Sequence, residues 1–385
     1  MSHIQHLINE LCPNGVEYAS LGVAARYQKS RIDNSELTPE TYVGVDNLIA
    51  SCGGRRNSEY VPTSGKSIAF HEDDVLLGNI RPYLKKIWLA DRSGGCSGDV
   101  LALRITPHFS SRLTPDFLYY SLSSDNFFKF SVQHSRGGKM PRGNKAKILE
   151  YRIPVPPLEV QREIVRILDG FTKLEAELEA ELEARRKQYA FYRDQLLTFT
   201  PEGGRTKWLA LGEIATLGTG TRNSNWGHLE GTYPFFTRGQ EILRQEQYDF
   251  DEIAIITAGD GVGVGKVMHY FEGKYALHQR AYRIVIHSKS IVPKFIYHYM
   301  RTDFLRYMTR ESVHGSVLSV RKRMLEHYPV PVPPLEEQRR IVAILDKFEA
   351  LVNDISSGLP AEIEARRKQY EHYRDRLLTF PELNG

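Results

Sequence analysis

At 385 residues, with 41% apolar and 25% charged side chains, the chain is long enough for two or more folded cores and has neither a disordered nor a membrane-class composition. A formal charge of +4 permits a nucleic-acid partner without requiring one. Cys12, Cys52 and Cys96 are scattered without CxxC or Cys/His spacing, which points to a reducing compartment and no structural zinc. The segment MSHIQHLINELCP has no basic region followed by an apolar run, and no stretch reaches the roughly 18 apolar residues of a membrane span, so the expected location is cytoplasmic.

Residues 1–150 open with an apolar stretch around Leu21-Gly22. Strand-like blocks follow at Ser67 to Phe70, Asp74 to Leu77 and Val100 to Ile105, and a helix is expected to start at Pro115. Two stretches interleave basic, amide and aromatic side chains. The first holds Asn79, Arg81, Tyr83 and Lys85, and the second, glycine-containing, holds Arg136, Lys139, Arg142, Asn144 and Lys145.

Residues 151–200 read as a strut. Pro154 to Glu159 hold the approach extended, and Glu159 suits the positive end of a helix dipole. One heptad row is Gln161, Leu168, Glu175, Leu182, Tyr189 and Leu196. The other is Ile164, Phe171, Leu178, Arg185, Tyr192 and Phe199. About 40 helical residues span roughly 60 Å.

Residues 201–327 are a weakly similar β-rich segment, with Leu211-Gly212, strand-like blocks at Glu252 to Ile256, Gly265 to Met268 and Tyr282 to Ile286, and a helix from Pro293. The run Thr257 to Lys266 is not a phosphate loop: Asp260 stands where the first glycine would be, and Val267 where a hydroxyl is required. A glycine-rich hairpin is expected instead. Basic, amide and aromatic candidates are Arg222, Asn223, Trp226, Arg238, Gln240, Gln279, Arg280, Arg310, His314, Ser316, Arg321 and Lys322.

Residues 328–385 repeat the strut, YPVPVPPLEEQRRIVAILDKF, with a seam at Ile341, Leu345, Phe348, Val352, Ile355 and Leu359. Pro154 and Pro331 are 177 positions apart but Glu183 and Glu364 are 181 apart, so four residues are inserted, the size of a stutter. Pro360 should kink or break the helix there, after which the seam resumes at Ile363, Tyr370, Tyr373, Leu377 and Phe380. The two heptad helices are expected to pair with each other.

No HExxH, GxSxG or metal-ligand spacing is present, and His71, His278 and His314 lack visible catalytic partners. That leaves a binding protein as the best reading, ahead of a single-chain nuclease or methyltransferase. Arg and Lys suit guanine edges, Asn and Gln suit adenine, and the remaining cations suit phosphates. The alternative is a coiled-coil scaffold without sequence-specific DNA reading.

The paired PVPPLExQ lead-ins (Pro154 to Gln161, Pro331 to Gln338), the Ile167 to Phe171 and Ile344 to Phe348 stretches, and the twin EARRKQY…YRD…LLTF ends together resemble the specificity subunit of type I restriction-modification systems. The resemblance covers nearly the whole chain. It implies an α+β fold with a pseudo-two-fold internal repeat: two β-rich target-recognition domains (1–150 and 201–327) separated by two long helices (151–200 and 328–385) that form an antiparallel coiled coil. Each domain would read half of a split double-stranded DNA target, with the helices setting the unread gap. It further implies two modification (methyltransferase) subunits as partners, carrying S-adenosylmethionine and methylating adenine. Restriction/translocase subunits would use ATP and Mg. The chain itself would be non-catalytic, without cofactor or metal, and without a membrane partner.

Overall fold

The computed structural model describes residues 2–200, 205–311, 319–353 and 357–383. Contacts group the chain into two units, Met1–Leu178 with Ile363–Gly385, and Glu179–Glu362.

The first unit begins with a helix, Ser2–Leu11. The strand Glu17–Ser20 then pairs antiparallel with Arg152–Val155, Glu17 opposite Val155. The proline-rich lead-in is therefore a strand of a two-stranded ribbon, a setting in which proline's missing N–H is tolerated. Leu21 N–H donates to Tyr151 O at 2.7 Å. A Cβ on Gly22 would press on Leu149 at 3.2 Å, so a larger residue at this corner would need Leu149 to shift.

Two four-stranded sheets follow. One runs Ala25–Tyr27, Val100–Ile105, Val75–Gly78, Ile87–Leu89, and the other Arg31–Asp33, Lys66–Phe70, Gly94–Cys96, Tyr42–Val43. Val75–Gly78 is buried on both faces. Val75 and Leu77 join a core with Leu101, Leu103, Phe117 and Leu118, while Leu76 joins Phe70, Trp88, Val100 and Ala102 on the other side. That is the period-two alternation of a strand, here apolar on both faces because both are covered. The helix from Pro115 ends at Ser123, and Ser124 starts a second one, Asp125–Gln133, accepting Phe127 N–H at 3.3 Å.

The helix Leu158–Leu196 contributes its residues up to Leu178 to this unit. Val160, Ile164 and Leu168 enter the core. Farther along, Phe171 stacks on Tyr373 at 5.6 Å and Glu175 pairs with Arg367, so the partner numbers fall as these rise: the two helices run antiparallel. Gln161 is not a seam contact. It is fully buried and bonded to backbone, as described below. The end of the chain returns to its beginning. Val16 N–H donates to Pro381 O at 2.9 Å, and Leu383 N–H to Val16 O at 2.9 Å. Gly15, at φ +97°, makes room for this, since a Cβ there would overlap Pro381 O.

The second unit repeats the plan. Lys207–Ala210 pairs antiparallel with Pro329–Val332, and Leu211 N–H donates to Tyr328 O at 2.9 Å. A six-stranded sheet runs Ala215–Thr219, Ala281–Ile286, Phe250–Ala258, Met268–Leu277, Tyr233–Phe236, Leu243–Gln245. Ile255 faces one core, Ala254 and Ile256 another. The glycine run is the loop of the hairpin joining Phe250–Ala258 to Met268–Leu277, with a 3-10 turn at Gly261–Gly263. Gly265 to Val267, expected as strand, belongs to that loop. The helix Pro293–Glu311 is continuous. Within this unit Tyr189 and Tyr192 of the first long helix pack on Phe348 of Leu335–Asn353, at 6.3 and 5.8 Å. Ile341, Leu345 and Val352 are buried as their heptad positions require, whereas Ile355 lies outside the described residues. A separate helix, Leu359–Leu377, starts with Pro360 as its second residue, so the repeat is broken at its four-residue insertion.

Candidate nucleic-acid interface

In the first unit the two polar stretches, some sixty positions apart in sequence, are stitched together through backbone. Gly143 N–H donates to Asn79 O at 3.0 Å and Arg81 N–H to Pro141 O at 2.7 Å, while Arg136 and Arg142 exchange backbone bonds at 2.9 and 2.8 Å. Arg81 and Lys85 take left-handed φ of +51° and +50° on either side of the turn Pro82–Leu84, which turns Tyr83 outward. Tyr83, Arg136, Lys139, Arg142 and Lys145 are exposed.

Of three further candidates, one is buried and two are held by neighbouring groups. Asn79 is only 4% exposed, Lys85 is paired with Asp125 at 2.8 Å, and Asn144 caps the helix Lys145–Glu150 by accepting Ala146 and Lys147 N–H. Arg142 is held by Asp99, Nε at 3.1 Å and Nη2 at 3.4 Å. Beside Arg81 opens a hollow of about 330 Å³ lined in part by Tyr42, Asp46, Lys86, Asp99 and Met140. Tyr42, Asp46 and Asp99 carried no basic or amide signal, and only the fold brings them here.

In the second unit Arg222 is 9% exposed, bonded to Asp249 through Nε at 2.8 Å and lying 5.8 Å from the Trp226 ring, so it braces the loop rather than reaching out. Asn223 Oδ1 accepts from the Gln279 amide. Arg238 and Arg280 both end on Asp260, at 3.1 and 2.9 Å. Val320 N–H donates to Gly259 O at 2.8 Å and Ser319 bridges Asp260, bringing the chain just before Arg321 to the same place. Gln240, Arg321 and Lys322 are exposed, Lys322 within 3.7 Å of Glu326. Arg310 pairs with Glu311 over the Tyr307 ring and is not part of the Asp260 group of contacts. His314 and Ser316 lie outside the described residues.

Burial works against the ionisation of Asp260, but the two guanidinium groups outweigh it and hold its carboxyl below the ordinary range. His278 is nearly buried, and its Nδ1 accepts Arg280 N–H at 3.0 Å. Burial, then Arg238 and Arg280, lower its pKa, so it serves as a neutral support of the loop.

His298, Asp346 and Glu349 offer ligand atoms within 4.8 Å of one another. Lys294 occupies Asp346 at 2.8 Å and Arg301 occupies Glu349, so the group is already a charge-compensated network rather than an open metal site. Among the described residues no helix is long and apolar enough to cross a membrane.

Paired β-rich folds, each followed by a proline-led helix and carrying polar loops, define a protein built twice on one plan. Residues 57–184 and 207–365 match the family described as type I restriction modification DNA specificity domain, and the chain belongs to that family. It is 38% identical over 262 residues to the EcoR124I/EcoR124II specificity subunit of Escherichia coli, covering 60% of this chain and 63% of that one. It is 32% identical over 295 residues to the putative specificity subunit S.HindORF215P of Haemophilus influenzae, covering 70% and 73%. The match thus spans just under two thirds of the E. coli subunit. Its fold resembles that of the type I S subunit from M. genitalium, with TM-score 0.58, 17% identity and coverage of 96% and 97%. A chain from the type I system whose assembly and conformational transition were solved has TM-score 0.60, 22% identity and coverage of 95% and 98%.

Proposed function

We propose that this chain is the sequence-specific DNA-binding specificity subunit of a type I restriction-modification complex. Residues 1–150 and 201–327 each read one half of a bipartite target. Residues 151–200 and 328–385 set the unread gap and dock two modification subunits. The chemistry belongs to those partners, S-adenosylmethionine to the modification subunits and ATP with Mg to the restriction subunits, and this chain contributes recognition alone. Contacts to DNA come from half-buried Arg81 and the exposed loop residues Tyr83, Arg136, Lys139, Arg142 and Lys145 in the first head, and from Asn223, Trp226, Arg238, Gln240, Gln279, Arg280, Arg321 and Lys322 in the second.

The observation that carries this reading is duplication of the junction between head and helix. Gln161 and Gln338 make matching sets of bonds, while the heads they anchor differ in sheet architecture. Two unlike readers on like mounts suit a target with two unlike halves, and coupling them raises affinity without enlarging either contact surface.

The test is footprinting of the chain assembled with its modification subunits, on the target found by mapping methylated adenines. Two short protected blocks flanking an open gap are expected, and exchanging residues 1–150 for those of a relative should change one block only. Uniform protection, or a preference indifferent to the exchange, would leave the scaffold reading instead.

A further inference from the structure

Both heads hold arginines of the DNA-facing loops on an aspartate from a neighbouring loop. Asp99 lies in the turn before Val100–Ile105 and takes two nitrogens of Arg142 on its two oxygens. Asp260 opens the glycine hairpin, with Oδ1 taking Arg238 and Oδ2 taking Arg280. The three arginine side chains are 55%, 51% and 57% exposed. Two arginine–carboxylate pairs that brace the second unit from inside look different: Arg222–Asp249 is 10% and 18% exposed, and Arg283–Glu252 is 19% and 24%. An ion pair as open as the first group contributes little to stability. Its physical effect is on direction. A guanidinium has five donors in a rigid fork, so fixing one edge on a carboxylate aims the others.

We propose that Asp99 and Asp260 are specificity-determining positioning residues, which aim the arginines of their heads and keep them from binding phosphate indiscriminately. The inference rests on the DNA-reading function proposed above. A free surface arginine grips any phosphate within reach, and that contact carries no sequence information. An arginine held by aspartate presents a fixed edge, and the carboxylate repels a phosphate that approaches elsewhere. A correctly placed base acceptor meets the aimed donors, whereas a randomly placed backbone does not. Discrimination thus gains from a repulsive element as well as an attractive one. Two heads with different sheets place such an aspartate beside their loop arginines, one with a single arginine and one with two.

The test uses the chain assembled with its modification subunits, and two duplexes, one carrying the mapped target and one of scrambled sequence. Asp99→Asn and Asp260→Asn change shape little. Each should raise affinity for the scrambled duplex about threefold to tenfold, with the larger gain at Asp260, where two arginines are released. The slope of log affinity against log salt should steepen by about 0.9 for each phosphate gained. Target affinity should move less, so the ratio between duplexes falls, and Asp260→Glu should recover part of it. A merely structural role would weaken both duplexes together without steepening the slope, and that result overturns the proposal. So does lost target affinity with no gain on the scrambled duplex, which would make the aspartate itself a base contact. If the unmodified complex fails to distinguish the duplexes, the DNA-reading function itself falls.

Discussion

The two head-to-helix junctions are alike where they touch backbone and unlike where they touch side chains. Gln161 donates to Arg112 O and Pro156 O, both at 2.7 Å, and accepts Thr114 N–H at 3.0 Å. Gln338 donates to Ser290 O and Pro333 O, at 3.1 and 2.8 Å, and accepts Val292 N–H at 2.9 Å. Eight residues on, Asp169 takes a hydroxyl, Tyr120 at 2.6 Å, whereas Asp346 takes Lys294 at 2.8 Å and His298 at 3.0 Å. Backbone groups are present whatever the head's sequence, so a glutamine aimed at them tolerates drift in the head. A carboxylate aimed at side chains must accept whichever partner the head supplies. The helices at these places differ as well. Ser124 caps a new helix in the first unit, while the second unit's helix runs on through Thr302, whose hydroxyl bonds back to His298 O at 3.2 Å.

The largest test removes the shared element. Gln161→Ala and Gln338→Ala each strand one buried carbonyl, of Pro156 or Pro333, together with a part-buried amide N–H and a part-buried carbonyl, and each should cost about 2 kcal/mol. Denaturant unfolding should give losses that agree within about 1 kcal/mol. Amide exchange should speed up at Thr114 in one variant and at Val292 in the other. Unequal losses would break the equivalence of the junctions.

The next test sharpens the difference. Arg374 and Arg193 occupy matching places in the twin YRD segments, but Arg374 is 3% exposed and bonded to Asp125 at 2.7 Å, whereas Arg193 is 30% exposed, paired with its neighbour Asp194 and 5.9 Å from the Tyr189 ring. Arg374→Met should cost about 2 kcal/mol because it breaks a buried pair. Arg193→Met should cost less than about 1 kcal/mol by the same unfolding measurement.

The smallest effect is of pH. Burial lowers the pKa of His298 from 6.5, and Asp346 and Glu349 oppose that shift without cancelling it, with Lys294 and Arg301 completing the charges around the ring. The folded second unit therefore prefers neutral imidazole. Its contribution to stability is complete above pH 6.5 and is lost as pH falls below that through the folded value. His269 and His278, also lowered by burial, act in the same direction. The thermal midpoint of the second unit should fall on acidification, and His298→Tyr, which installs the hydroxyl solution of the first unit, should shrink that fall. An unchanged slope would remove His298 from the account.

Much of this architecture is legible in the sequence because repetition is. The seam residues Leu168, Ile341, Leu345 and Val352 are buried where heptad spacing puts them, and Pro360 stands at the start of a new helix where the spacing slips. The strands around Leu76 and Ile255 follow from apolar blocks with period-two faces. What escaped was long-range pairing. That Pro154 sits opposite Tyr18 in a ribbon, or that Asp99 meets Arg142, depends on chain return and leaves no local mark. The loop candidates show the limit best. Composition cannot separate exposed Arg280 from Arg222, which Asp249 holds inside, since both are arginines in polar loops and only the fold leaves one side chain 57% exposed and the other 10%.

The backbone bridge between Val16 and the segment Pro381 to Leu383 ties the start of the first unit to residues that follow the whole second unit in sequence. A ribosome completes the second head before the final tether of the first has been synthesised. This tether of the first unit therefore forms only once residues 381–383 have been translated, and a truncation ahead of them that spares every loop of that unit still removes it.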